Sequence, residues 1–228
     1  EDPWSAPRPV TLPRGPTSLS GLRVGIPHPW VDRPVTKRIA EGFAGFIAAL
    51  GRAGAVVVPV SAPALDPTAL PRAAYAEVAA VHRAWITADP SRYGVGIRDR
   101  MLAEMVHTTD AVTAATAWRA GLRMAFARVF AGVDVLLTPT TATLRKVIGS
   151  DLVDAGAGPE PYRPALSWFT TLVNQSGLPA IALPVSGSAD GGPPVSMQVI
   201  GPWFAEDRLL GVGLALEATA LVGFTPPR

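Results

Sequence analysis

Cysteine is missing from the 228 residues. Its absence excludes disulfides, thiol nucleophiles and thiolate metal sites, and says nothing about compartment. Lysine is almost missing too, present only as Lys37 and Lys146, and the arginines are scattered without a cluster. With a formal net charge of +2, no surface that tracks a phosphate backbone is expected, and nucleic acid is not a partner. No stretch approaches eighteen uninterrupted apolar residues, so no membrane span is expected, and the expected location is cytoplasmic. Charged residues make up 17% against 48% hydrophobic, which favours a surface partly covered by something else over one that is merely lightly charged. The chain also lacks a GxSxG elbow, a P-loop, a dinucleotide fingerprint and an HExxH pair. Its three histidines, His28, His82 and His107, stand too far apart in sequence to form a metal site or an obvious base for a serine. No metal and no cofactor is expected. The first residues, EDPW, show neither a starting methionine nor a signal-peptide pattern, which suggests a fragment or a processed chain.

What is present is an alternation of short apolar runs and helical periodicities. Residues 1–18 carry five prolines and little periodicity, and are expected to form an extended linker, with one domain from 19 to 228. LRVGI at 22–26 and AVVVPV at 55–60 predict buried strands, joined by a helix over 34–50 whose Val35, Ile39, Phe43, Phe46, Ile47 and Leu50 recur every three or four residues. That is a βαβ unit with both strands expected to be buried on two faces, and Pro59 places the second near an edge or an element's end. A second helix is expected over 71–88, with Tyr75, Val78, Val81 and Trp85 on related turns. A glycine-spaced loop and a short helix should follow over 92–106, and a long helix over 110–130, capped by Thr109 or Asp110.

The run VDVLLTPT at 133–140 organises the rest. It predicts a short buried strand that opens into a loop at Pro139, and in open α/β sheets ligands sit beyond such strand ends. Residues 145–164 lose all pattern and read as a long loop. A short helix or irregular segment is expected at 166–174, a strand at 180–185, a glycine-rich hairpin loop at 186–194, a returning strand at 195–201 and a last helix at 206–220.

Three loops combine short polar groups with glycine or proline beside a buried strand: 138–141, 174–179, and the returning strand with Ser196 and Gln198. Asn174 reads as a loop organiser. Gln198, inside an apolar alternation, must belong either to a buried network or to a pocket wall. No residue is nominated as catalytic.

FAGVDVLLTPTT at 130–141, FTTLVNQSGLPAIALPV at 169–185 and PPVSMQVIGPWFAEDRLLGVGLALE at 193–217 resemble the C-terminal half of the amidase signature family; LRVGIP and YAEVAAVHRAW match the same half. The resemblance implies an α/β fold, the C-terminal part of a mixed β-sheet core covered by helices. It also implies a serine hydrolase that cleaves a carboxylic amide to an acid and ammonia or an amine through a Ser–cis-Ser–Lys triad. The glycine- and serine-rich signature is not in this sequence. The expectation is therefore a fragment, inactive alone, whose triad lies in a missing N-terminal half or on a separate partner chain, with a homodimer possible for the complete enzyme. On this resemblance the substrate-binding residues are Thr138, Thr140, Thr141, Trp168, Phe169, Asn174 and Gln198. Trp168, Phe169 and Trp203 suggest an aromatic or apolar acyl group on a small amide. The alternatives are a non-catalytic interaction protein or degenerate relative, and a fragment of an amidase-type glutamine amidotransferase subunit.

Overall fold

The computed structural model describes residues 6–9, 11–186 and 192–223. Five strands form one mixed sheet in the order β2-β1-β3-β7-β6. β1 (Arg23–His28), β2 (Val56–Ser61) and β3 (Val135–Pro139) run parallel to one another. β7 (Ser196–Ile200) pairs antiparallel with β3, and β6 (Ala180–Pro184) antiparallel with β7. The expected βαβ unit is there, closed by α1 (Lys37–Arg52). The helix starts three residues later than Pro34 suggested, with Thr36 at the cap position and its N–H held by the Ala142 carbonyl at 3.1 Å. Ile39, Phe46 and Leu50 are its buried stripe, the period-3.6 set that drives an amphipathic helix onto a sheet.

Burial on both faces holds for β1 and β3 but not for β2. β2 is the edge strand, and Val56 at its start is 47% exposed. A run of β-branched residues signals a strand but not its place in the sheet.

Alternation along the central strands divides the core in two. Val24, Ile26, Val135, Leu137, Met197 and Val199 face one layer, where they pack with α1 and α6 (Glu206–Ala218). Leu136 and Ile200 face the other, filled by Phe126 and Leu122 of α4 (Thr109–Phe130) and by Phe169 and Leu172 of α5 (Tyr162–Ser176). Gly25 lies between. A Cβ there would meet Leu136 Cδ2 at 2.8 Å and the Val133 methyls at 3.1 Å. Gly25→Ala is expected to cost about 1–3 kcal/mol through overpacking, measurable as a lower urea midpoint with an unchanged slope. An unchanged midpoint would show that the second layer can give way.

Several local expectations are corrected. α4 is capped by Thr108, whose Oγ1 accepts from the Ala111 N–H at 3.2 Å. The stretch from 71 begins as a 3₁₀ turn and becomes α2 (Ala76–Ala88), with Val81 and Trp85 64% and 58% exposed; their spacing marks a face that faces solvent. α3 (Val95–Glu104) follows. The long loop at 145–164 contains a two-stranded hairpin, β4 (Leu152–Asp154) and β5 (Pro159–Pro161). α5 then begins at Tyr162, four residues before the expected start. Pro164 does not break it because it sits in the first turn, where its missing N–H has no helical acceptor to lose. Gly177, with φ +70°, ends it. Pro139 remains in the ladder, in register with Met197.

Residues 7–9 and 11–18 run along α6. The Thr17 N–H donates to the Gly211 carbonyl at 2.9 Å, and the Arg8 guanidinium lies 3.9 Å from the Phe204 ring centroid. Most of the glycine-rich loop at 186–194, including the serine in GSADGG, and the tail after residue 223 lie outside the described residues. Among the described residues no helix is long and apolar enough to cross a membrane.

Candidate functional site

The parallel strands β1 and β3 both deliver their C-terminal ends to one side of the molecule, and the nominated residues gather there or just behind it. Thr138, Gln198 and Phe169 form one buried knot. Thr138 and Gln198 are register partners on β3 and β7. Gln198 Nε2 donates to Thr138 Oγ1 at 3.1 Å and to the Phe169 carbonyl at 2.9 Å, while the Thr138 hydroxyl donates to the Pro139 carbonyl at 2.9 Å. Of the two readings open for Gln198, the structure shows the buried network. It ties the sheet to α5 at the point where β3 ends.

Thr140 and Thr141 sit just past that end and are partly exposed. Thr140 Oγ1 donates to Ser196 Oγ at 3.1 Å, and Ser196 passes the chain on to the Leu183 carbonyl at 3.1 Å. Thr141 Oγ1 donates to the Thr143 carbonyl at 2.8 Å. These hydroxyls hold the loop in shape.

Trp168 stands at a cavity of about 600 Å³ bounded by residues 29 and 32–34, Asp66, the 157–160 turn and Glu160. Its indole N–H donates to the Trp30 carbonyl at 3.1 Å, and the Trp30 indole N–H donates to the Trp168 carbonyl at 3.3 Å. This reciprocal exchange clamps the segment after β1 to the middle of α5. Trp30 is buried against Phe126 and Phe169, with ring centroids 6.1 and 6.5 Å away. The Arg33 guanidinium lies 4.7 Å from the Trp168 ring centroid and pairs with Glu160 on β5, so hairpin and indole are held by one cation.

Not every nominated residue joins this group. Asn174 is exposed two turns further along α5, and its neighbour Gln175 is the buried amide. Gln175 donates to the Ala74 carbonyl at 3.3 Å and accepts from Arg119 Nε at 3.2 Å. Trp203 lies at the C-terminal end of α5, donating to the Ser176 carbonyl at 2.9 Å, and is no part of the cavity wall. Sequence reasoning missed Trp30, Arg33 and Glu160. The available signal was the string PWVDRP directly after a strand.

The two lysines are engaged with carboxylates, Lys37 with Glu41 at 3.7 Å and Lys146 with Asp151 at 3.2 Å. Among the described residues no group of three or more histidine or acidic side chains could hold a metal.

Residues 1–210 match the family profile described as Amidase. Among curated proteins, the A subunit of the glutamyl-tRNA(Gln) amidotransferase of Afipia carboxidovorans is 31% identical over 89% of this chain and 46% of its own length. The 2-amino-5-chloromuconic acid deaminase of Comamonas testosteroni is 34% identical over 89% of this chain and 44% of its own. Among solved structures, one described as an amidase superposes with a TM-score of 0.80 at 25% identity, covering 89% of this chain and 46% of that one. A 6-aminohexanoate cyclic dimer hydrolase gives 0.68 at 25%, covering 89% and 45%. The chain spans about half the length of the curated relatives it matches.

These findings correct the resemblance as read from sequence. The family match covers residues 1–210 rather than beginning near Leu19, and residues 7–9 and 11–18 pack along α6, on the same body as the sheet. The mixed sheet with its two helical layers likewise occupies nearly the whole chain. The expectations built on a C-terminal part, namely a fragment, a chain inactive alone and an obligatory N-terminal half or second chain carrying the triad, give way to what the comparison shows: a match to the family profile over residues 1–210 of this chain.

Proposed function

We propose an amide-cleaving role for this chain, which belongs to the Amidase family by a match that covers residues 1–210. The reaction is hydrolysis of a small carboxylic amide to the acid and ammonia or an amine. The family match carries this reading, and the cavity at the strand ends supports it with a place for the acyl group. In that assignment Trp168 lies nearest the substrate, Thr138, Phe169 and Gln198 hold the wall from behind, and Thr140 and Thr141 shape the loop beyond the strand end. Asn174 would touch only a substrate that reaches along α5. The cavity is lined by Trp168, Asp32, Asp66, Glu160 and Arg33 beside prolines and small residues, a mixed lining that suits a substrate with an apolar part and a polar end. The cytoplasm is the proposed compartment.

The test is ammonia or amine release by the purified protein across a panel of aliphatic and aryl amides. Release of acid and amine in equal amounts supports the reading, and no turnover of any amide overturns it. For whichever amide is cleaved, Trp168→Ala is expected to raise KM about tenfold, the loss of roughly 1.4 kcal/mol of binding, with kcat changed far less. An unchanged KM would move the acyl group elsewhere. The curated relatives named as amidotransferase subunits favour a second reading, in which the ammonia comes from glutamine for transfer. Including glutamine in the panel separates the two.

A further inference from the structure

His28 ends β1, and the alternation that turns Val24 and Ile26 towards α1 carries its side chain to the same face. Its register partner on the neighbouring parallel strand is Ser61, the last residue of β2. In-register neighbours on parallel strands are about 4.8 Å apart and project to the same side. The two side chains therefore stand next to each other at the strand ends. Asp32, four residues on, places Oδ1 2.6 Å from His28 Nδ1. A proton on Nδ1 donated to that carboxylate leaves Nε2 with its lone pair free, the tautomer a base requires. All three residues line one open groove of about 410 Å³ with Pro29, Pro59 and Val60. Among the described residues Ser61 Oγ and His28 Nε2 are not hydrogen-bonded to each other or to any other group, so a small rotation of the serine would have to bring them into reach as substrate binds. The groove shares Pro29 and Asp32 with the Trp168 cavity.

We propose that Ser61, His28 and Asp32 form a second reactive centre, beside the amide cavity and sharing Asp32 with its wall, that accepts acyl groups from small activated esters. The Ser61 hydroxyl gives its proton to His28 Nε2 as Oγ bonds to the ester carbonyl carbon. The tetrahedral adduct then collapses, the carbon–oxygen bond to the leaving alcohol breaks, and His28 returns the proton to that alcohol. A water attacks the acyl-serine by the same path, its proton passing through His28 to Ser61 Oγ as the acid leaves. Asp32 orients the imidazole and stabilises its cationic form during both steps. The open groove limits the centre to small acyl groups.

p-Nitrophenyl acetate tests this, with release of nitrophenol followed by absorbance and the acetylated peptide identified by mass spectrometry after acid quench. The expected result is acetyl on Ser61 and a rate that falls at least about 100-fold, the scale of general-base assistance, in both Ser61→Ala and His28→Gln. Asp32→Asn should slow release, and Asp32→Glu, which keeps the carboxylate, should recover part of the rate. The three side chains are exposed or half-exposed at strand ends, so circular dichroism should confirm that the variants fold. Acetyl on a lysine or the N-terminus would overturn the proposal. So would a Ser61→Ala variant as fast as the parent, which would make His28 itself the nucleophile.

Discussion

Trp30→Ala is expected to destabilise the protein by about 3–5 kcal/mol, the range for removing a fully buried tryptophan. Trp30 is 1% exposed and touches Phe126 from α4 and Phe169 from α5, so its removal opens a void where three elements meet. The loss should exceed that of an equal volume elsewhere, because one half of the reciprocal indole–carbonyl exchange with Trp168 goes with it. Trp30→Phe separates the two contributions. It keeps most of the aromatic packing and loses the N–H, for a cost nearer 1 kcal/mol from the bond plus whatever volume is not refilled. Urea denaturation of the three proteins measures both. If alanine and phenylalanine cost the same, packing is not what Trp30 contributes.

Gln198→Ala should cost about 2–4 kcal/mol, from the cavity it leaves and from polar groups whose buried partner is gone. Two acceptors depend on its amide, Thr138 Oγ1 and the Phe169 carbonyl. The carbonyl has its helical N–H to fall back on, and the threonine can still donate to Pro139. Gln198→Met, which fills the space without the donor, should therefore recover much of the stability. It should not recover the position of the Thr138–Thr141 loop relative to α5. A methionine variant stable to urea yet weakened in KM for the amide found in the panel would show that the amide acts as a positioning device. If methionine restores both, Gln198 fills space and nothing more.

How far the sequence could be read depended on whether a residue's neighbours along the chain determined its environment. The apolar runs of β1, β3 and β6 and the periods of α1 and α4 did, and those elements lie within a residue or three of expectation. Gln198 stood out for the same reason, an amide where alternation required an apolar residue. The hairpin at 152–161 was not legible because its two strands are only three residues each, too short to show a period, and β5 is bounded by prolines at both ends. Missing it also hid the true start of α5, and with it the helix phase that leaves Asn174 exposed and turns Gln175 inward. Trp30, Arg33 and Glu160 come together only through tertiary packing across more than 120 residues, which no local pattern encodes. Val81 and Trp85 failed in the opposite sense: the period is real, but solvent and not the core receives it.

The two outer strands of the sheet share a feature with a consequence for association. β2 and β6 each contain a proline, Pro59 and Pro184, and beyond Pro184 the chain is bridged to its own C-terminal region by Val185 and Val222. A proline offers no N–H to an incoming strand, and Pro59 is exposed on β2. Neither border can therefore be extended by a full ladder from another copy, which is the usual route from an open sheet to fibrils and swapped dimers. Copies that meet in solution would have to do so through their helical faces, leaving the backbone of the sheet untouched.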